Sequence, residues 1–333
     1  MGFQEYPKLP GELHGALGKQ APRPSAAAAA ASAARVLVGS ATVPFRPEWD
    51  RHALTPRHTA YLRVAEGCDH KCTFCAIPTF RGKFRSKPWD ALLEEARRLA
   101  ASGVRELNLI AEDTNQYGQD FPKSDGRGLA QLLAALAAIP GIEWIRILYA
   151  YPSYFTDELV DAIATIPQVV KYIDIPLQHI SNTTLLAMNR PPRQHTEALL
   201  TKLRDRIPGA CAGCALSDWL WADAFMPSGL VLRTTFICGF PGEREADHAE
   251  LVDFVKTFKF ERMGAFTFSE EDGTPAGTYP EQVPPEVREA RRDELVSLQQ
   301  RICERVAERR VGSVVRVLVD GSSMFDLTAH PIE

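Results

Sequence analysis

From residue 60 onward the chain alternates short apolar runs with longer stretches in which apolar residues recur at helical spacing. Residues 61–65 read as a first strand. Ser86-Lys87-Pro88 then opens a helix with proline near its first turn, Leu92, Leu93, Ala96 and Leu99 on its apolar face and Gly103 as its stop. Residues 104–111 form a second strand, followed by a polar loop over 112–126. Helix 129–138, strand 144–151, helix 156–163, strand 171–175 and two short helices ending at Arg206 come next. A strand at 230–238, a helix at 243–258 and a strand at 264–269 complete the series. Six strands alternating with helices predict an α/β fold with a parallel sheet, arranged as a partial (β/α)6 TIM-like barrel. In such barrels the chemistry sits where strands end in loops.

The rhythm fails at both ends. Residues 1–58 carry turn punctuation at Pro7, Pro10, Pro22 and Pro24 and an alanine run at 26–31, and read as a remnant or linker. Residues 13–47 hold no acidic residue, a composition that suits a transit peptide and an Ala-rich disordered linker equally. The core is expected at 59–283, followed by a long helix at 284–310 with Val287, Leu295, Leu298 and Ile302 at helical spacing and a charged, solvated face. Residues 314–319 read as one more strand, too little for a domain.

Composition narrows the classes. A chain of 333 residues can hold one large α/β domain and a small one. With a net charge of -4 there is no global basic field for nucleic acid, so any such contact is a local patch. No run of about 18 apolar residues occurs, which argues against a membrane span. Seven cysteines, three bunched and four scattered, do not make a secreted framework and read as intracellular.

The bunched three are Cys68, Cys72 and Cys75, within Gly67-Cys68-Asp69-His70-Lys71-Cys72-Thr73-Phe74-Cys75. Soft thiolates select zinc, copper(I) or iron-sulfur clusters. Zinc requires a fourth ligand, which His70 could supply by sequence, although no second CxxC or HxxxH follows at zinc-finger distance. A loop of only three thiolates suits a cubane cluster with one iron left open to a ligand. The plain alternative is three unrelated thiols.

CxxxCxxC with an aromatic residue before the third cysteine resembles the cluster loop of radical S-adenosylmethionine (radical SAM) enzymes. The resemblance implies that Cys68, Cys72 and Cys75 hold a 4Fe-4S cluster, that S-adenosyl-L-methionine binds its open iron, and that Phe74 packs against cluster or cofactor. It implies the same partial barrel. Further segments resemble the methylthiotransferases within that group: Leu148-Tyr149-Ala150-Tyr151-Pro152, Asp174-Ile175-Pro176-Leu177-Gln178-His179-Ile180-Ser181, Arg233-Thr234-Thr235-Phe236-Ile237, Met188-Asn189-Arg190-Pro191 and Glu271-Asp272-Gly273-Thr274-Pro275. These favour the branch that modifies an aspartate of a small-subunit ribosomal protein over the tRNA-modifying branch. Residues 209–228 interrupt the family pattern and read as an insertion; they carry Cys211 and Cys214, a CxxC without the βαβ context of a redox motif.

Gly239-Phe240-Pro241-Gly242-Glu243 lies between a strand and a helix, and by resemblance it borders the cofactor. A tight turn with Glu243 at the helix start is the alternative. Gln178 and Asp113, at strand ends, are candidates for the ribose or methionyl group of the cofactor, or for purely structural bonds. Arg81, Lys83, Arg85 and Lys87 form a basic run that could meet ribosomal RNA or an acidic substrate, or be merely solvated. Cys238 and Cys303 read as small buried hydrophobes.

The resemblance implies that the reduced cluster cleaves S-adenosyl-L-methionine to a 5'-deoxyadenosyl radical, which takes hydrogen from an aspartate β-carbon before a methylthio group replaces it. It also implies a second 4Fe-4S cluster on three N-terminal cysteines and a C-terminal TRAM-like β-barrel; no cysteine precedes Cys68, and 311–333 amount only to the truncated start of such a barrel. Implied partners are a small-subunit ribosomal protein or the ribosome, a reducing protein such as flavodoxin or ferredoxin, no membrane, and tRNA as the alternative substrate. The expected compartment is the cytoplasm or an organelle stroma. A non-catalytic fragment and a zinc-stabilised binding protein remain as other classes.

Overall fold

The structure, a computed structural model, describes residues 55–207, 229–312, 314, 316–322 and 327–331. The expected N-terminal linker up to residue 54, the insertion and its CxxC lie outside the described residues.

Six strands build one parallel sheet: β1 (Thr59–Arg63), β4 (Glu106–Ile110), β5 (Trp144–Ile147), β6 (Val169–Asp174), β7 (Val231–Cys238) and β8 (Arg262–Thr267), in that spatial order. Sequence order and spatial order coincide because each crossover is a helix that returns the chain beside the strand it left. Those helices are α2 (Trp89–Ala101), α3 (Leu129–Ala137), α4 (Asp157–Thr165), α5 (Asn182–Ala187) with α6 (Arg193–Arg206), and α7 (Glu245–Phe258). Among the described residues β1 and β8 are the edges of the sheet, so the barrel is partial, as the alternation predicts.

Paired residues of parallel strands share a face, and here the two faces differ in kind. One carries Leu62, Leu107, Ile145, Ile147, Ile173, Leu232 and Phe236, all buried under the helices as the main core. The other follows the register Tyr61, Asn108, Arg146 on one side and Asp174, Arg233, Arg262 on the other, a polar inner wall. Arg146 neutralises Glu106 at 2.9 Å and lies over the Tyr172 ring.

Several elements escape the sequence pattern. Between β1 and α2 lie β2 (Ala65–Glu66), α1 (Ile77–Arg81) and β3 (Arg85–Ser86), with β2 and β3 forming an antiparallel ladder that closes the cysteine loop at its base. α7 starts at Glu245, so Glu243 precedes the helix instead of opening it. The single C-terminal strand expected at 314–319 is a hairpin of β9 (Val317–Ser322) and β10 (Leu327–Pro331). Arg316 ties this region to Glu143 at 3.3 Å and Asp320 ties it to His58 at 2.9 Å, both at the starts of barrel strands and away from the loop end.

The long helix α8 (Pro285–Arg310) packs Leu295, Leu298 and Ile302 into the main core. Its charged face is not uniformly solvated, because Arg288 and Arg291 are buried against the 239–243 loop. Among the described residues no helix is long and apolar enough to cross a membrane.

Candidate functional site

The cysteine loop leaves the C-terminal end of β1 through Gly67, whose φ of +80° only glycine adopts without strain. A Cβ there would stand 2.3 Å from the Lys83 carbonyl oxygen and 2.7 Å from that of Gly82. That close approach lets Cys68 N–H donate to Gly82 O at 3.2 Å. The loop is then pinned from three directions. Thr73 N–H and hydroxyl donate to Met188 and Ala187 carbonyls beyond β6, Asn189 reaches Lys71 O at 2.9 Å, and Ala276 N–H donates to Thr73 O at 2.9 Å from beyond β8. His70 Nε2 bonds Asp113 Oδ2 at 2.6 Å, and its ring stacks 3.5 Å from Tyr151.

Cys68, Cys72 and Cys75 are half-buried and free. Burial, followed by the neighbouring Asp113 and thiols once its backbone bond is offset, pushes the Cys68 thiol up to about 12. Cys75 is raised as well, chiefly by burial. Each needs a positive partner to ionise. One is provided: Arg190, 9 % exposed, places an amino group 3.7 Å from Cys72 Sγ while its guanidinium lies 4.2 Å over the Tyr151 ring. Among the described residues no three His, Cys, Asp or Glu side chains converge tightly enough for a single metal ion. Three thiols spread around one loop instead suit a multi-iron cluster, in which each binds a different iron. His70 is committed to Asp113 and Tyr151, so the four-ligand zinc arrangement is not what the fold builds.

The fold also leaves polar atoms beside the thiols in want of a ligand. Arg190 Nε and Gln178 Oε1 are buried without a partner among the described residues. Gln178 is held in the left-handed region, φ 73°, by backbone bonds to Thr235 O and from Ile237 N–H, each 2.8 Å. Residues in such conformations persist where surrounding structure over-determines them, often at ligand sites. Donor set and orphaned atoms thus fit a cluster with a zwitterionic cofactor beside it.

The remaining sequence candidates divide. Phe74 meets Phe240 edge-on at 6.5 Å, in a small apolar cluster with Met188, Phe268 and Ala276 that walls one side of the loop. Asp113, fully buried, spends one oxygen on His70 and the other on Tyr151 N–H at 3.3 Å, so it clamps the loop and leaves little for a ribose. Gly239 and Glu243 are directed at each other: Glu243 accepts from Gly239 N–H at 2.7 Å and Phe240 N–H at 3.0 Å, with Arg291 at 3.0 Å on its second oxygen. Burial raises the Glu243 pKa despite those donors. The open side of Gly239 is filled by Arg288, not by a ligand. The basic run is divided, with Lys83 exposed and Arg81 and Arg85 partly buried. Lys87 is 2 % exposed and paired with Glu95, and Arg81 is paired with Glu66 and Glu112. Cys238 is buried as expected, whereas half-buried Cys303 contacts Glu261 O at 3.6 Å. Arg190 and Tyr151 were not separable from their neighbours in sequence, since nothing in Met188-Asn189-Arg190-Pro191 shows that the arginine folds back to Cys72.

A sequence model of the radical SAM superfamily matches residues 62–216. Among curated proteins the chain is similar to the ribosomal protein uS12 methylthiotransferase RimO of Symbiobacterium thermophilum, 46 % identical over 83 % of this chain and 52 % of the relative. The protein of the same name from Pelotomaculum thermopropionicum is 44 % identical over 81 % of this chain and 56 % of the relative. The chain thus spans about half the length of the curated relatives it matches. Among solved structures, Escherichia coli coproporphyrinogen III oxidase (HemN), described as a radical SAM enzyme, superposes with a TM-score of 0.52 at 14 % identity, covering 74 % of this chain and 53 % of that one. The Kitasatospora setae methyltransferase TsrM, solved with cobalamin and a 4Fe-4S cluster, gives 0.50 at 17 % identity over 66 % and 38 %. At such identities the likeness concerns the fold, and it agrees with the partial barrel.

Proposed function

The chain belongs to the radical SAM superfamily, and from that membership we propose that it is the catalytic core of a methylthiotransferase acting on the ribosomal protein uS12. The observation that supports this reading is the single pinned loop of three half-buried thiols at the barrel mouth, with Arg190 beside Cys72. Cys68, Cys72 and Cys75 would hold a 4Fe-4S cluster, and the orphaned atoms of Gln178 and Arg190 would be polar partners for S-adenosyl-L-methionine. The chemistry such a pair supplies when bound is one-electron reductive cleavage of the sulfonium, at the low-potential end of the cluster range. The protein's own share is positional. His70–Asp113 and the Thr73 bonds fix the loop, Arg190 offsets thiolate charge, and Phe74, Phe240 and Met188 keep water from one flank. The substrate atom is the β-carbon of an aspartate, the electron comes from a flavodoxin- or ferredoxin-like protein, and the second 4Fe-4S cluster that would supply sulfur has no cysteine ligands before Cys68 in this chain. The working compartment is the cytoplasm or an organelle stroma.

Anaerobic reconstitution with iron and sulfide tests this reading. About four irons per chain and release of 5'-deoxyadenosine from S-adenosyl-L-methionine are expected, both lost in Cys72→Ala. Offering uS12 and tRNA in parallel, with mass spectrometry for a methylthio addition, separates the two substrate branches. Absence of both iron and release from the unsubstituted chain would overturn the assignment.

A further inference from the structure

Besides Arg146–Glu106, the polar inner wall contains an ion pair that the cluster and cofactor do not explain. Asp174 ends β6 and is 4 % exposed. Arg233, its register partner on β7, donates to Asp174 Oδ1 at 2.8 Å while its own side chain remains 38 % exposed. The rest of that guanidinium has no partner among the described residues. Arg262 is the register partner of Arg233 on β8. Above the pair is Tyr149, 49 % exposed and held at φ 62°, next to Ala150, whose backbone N–H donates to the Asp174 carbonyl oxygen at 2.8 Å. The Tyr149 hydroxyl lies within electrostatic reach of Cys75, Arg190, Asp174 and Arg233 together. The pair therefore faces the same chamber as the cysteine loop.

A buried aspartate that grips one edge of an arginine does two things. It fixes the guanidinium plane, and it leaves the second edge pre-oriented toward the chamber. An arginine so held presents parallel N–H donors matched to a carboxylate. A neutral nucleobase can match the fork, as the O6/N7 edge of guanine does, but brings no negative charge to it. Asp174 and Arg233 also fall in two of the segments by which the sequence resembles the protein-modifying rather than the tRNA-modifying branch.

We propose that Arg233, aligned by Asp174 and flanked by Tyr149, binds the carboxylate of the substrate aspartate and so determines specificity for an acidic side chain on a protein. Asp174 is a positioning residue. This assignment rests on the methylthiotransferase reading, and it places the aspartate β-carbon next to a fixed anchor within the chamber that holds the thiols.

Fluorescently labelled uS12, unsubstituted and with each aspartate replaced singly by asparagine, is titrated by anisotropy with the cluster-loaded chain and with its Arg233→Gln and Arg233→Lys variants. For the unsubstituted chain, one Asp→Asn change is expected to weaken binding by roughly tenfold, the scale of one charge-assisted hydrogen bond. Arg233→Gln should bind both forms of uS12 alike, and Arg233→Lys, which keeps the charge but not the fork, should retain part of the preference. The readout is a ratio within each variant, so a general loss of folding lowers both affinities without imitating a loss of preference. The proposal is overturned if Arg233→Gln keeps the full preference, or if no aspartate of uS12 matters to the unsubstituted chain. It is overturned equally if Arg233→Gln loses affinity for S-adenosyl-L-methionine by calorimetry with the uS12 preference intact, since the carboxylate read would then be the cofactor's. Release of 5'-deoxyadenosine by the unsubstituted chain without uS12 reports on the radical reading separately.

Discussion

Replacing Gly239 by alanine introduces two identifiable costs. At φ +71° an alanine enters the left-handed region, worth roughly 1–2 kcal/mol. Its Cβ would also stand 2.3 Å from Arg288 Cγ, 2.9 Å from Cβ and 3.1 Å from Cα, so the backbone of α8 as well as a flexible side chain must move. Overpacking of this kind costs about 1–3 kcal/mol. The reduced entropy of the unfolded chain returns about 0.4–1 kcal/mol. The expected loss is therefore about 2–4 kcal/mol, a large part of a typical domain's stability. Urea denaturation of the apo chain followed by far-ultraviolet circular dichroism measures it. Arg288→Ala should remove only the Cγ contact, so in a double-mutant cycle the two substitutions should couple by on the order of 1 kcal/mol, with the double variant less destabilised than the sum. A loss below about 1 kcal/mol for Gly239→Ala, or strict additivity with Arg288→Ala, would refute the reasoning. In the first case the loop would relax away from α8 at little cost; in the second the strain would be purely conformational.

Gly67→Ala should act at the cysteine loop, because backbone carbonyls at 2.3 Å and 2.7 Å cannot step aside, and iron retained after anaerobic reconstitution should fall to less than half that of the unsubstituted chain, about the level of a cysteine variant; retention of full iron would contradict this. His179 is fully buried with Nδ1 accepting from Ser181 N–H at 3.0 Å, and burial pushes its pKa down from 6.5 to about 3. Above pH 6.5 neither state carries the proton; below it the unfolded chain takes up a proton that the native imidazole refuses, so stability falls with pH down toward the folded value. Between pH 7 and 5 this amounts to about 2 kcal/mol, which His179→Gln should remove from the pH dependence of urea midpoints; identical slopes for the two proteins would count against it. Lys87→Met should cost about 3–5 kcal/mol by taking the buried ammonium away from the buried Glu95 carboxylate, and a urea-measured loss under about 1 kcal/mol would count against the buried pair as a stabilising contact.

The strands and crossover helices were legible because each buries a continuous apolar face, and that face imposes a period on the sequence. β7 shows why: Leu232, Thr234 and Phe236 point under the helices while Arg233, Thr235 and Ile237 point inward. The ladder of β2 and β3 was not legible, since two residues a side carry no period and the pairing exists only once Gly67 lets the strands approach. The hairpin at the C-terminus was half read, because Leu327–Pro331 ends in His330 and Pro331, which an edge strand tolerates but a pattern does not announce. At the site, the three cysteines were visible by spacing alone. Asp113 was visible only as a polar residue at a strand end and Glu243 only as the helix-start residue of the 239–243 turn, and the side each faces depends on His70 and Arg291, distant in sequence. The same holds for the basic run, where Lys87 points inward to Glu95 and so cannot form a surface patch.

The way the cysteine loop is pinned has a consequence for the order of events in the cell. Its bonds come from Asp113, from Ala187 to Asn189 and from Ala276, so the last clamp is synthesised long after the thiols have emerged. During that interval the loop has no defined shape, and iron delivered to it would meet three mobile thiols instead of a site. Cluster loading thus belongs after the ribosome has released the barrel, and the nascent cysteines depend on a reducing surrounding until the chain's far end arrives to set them.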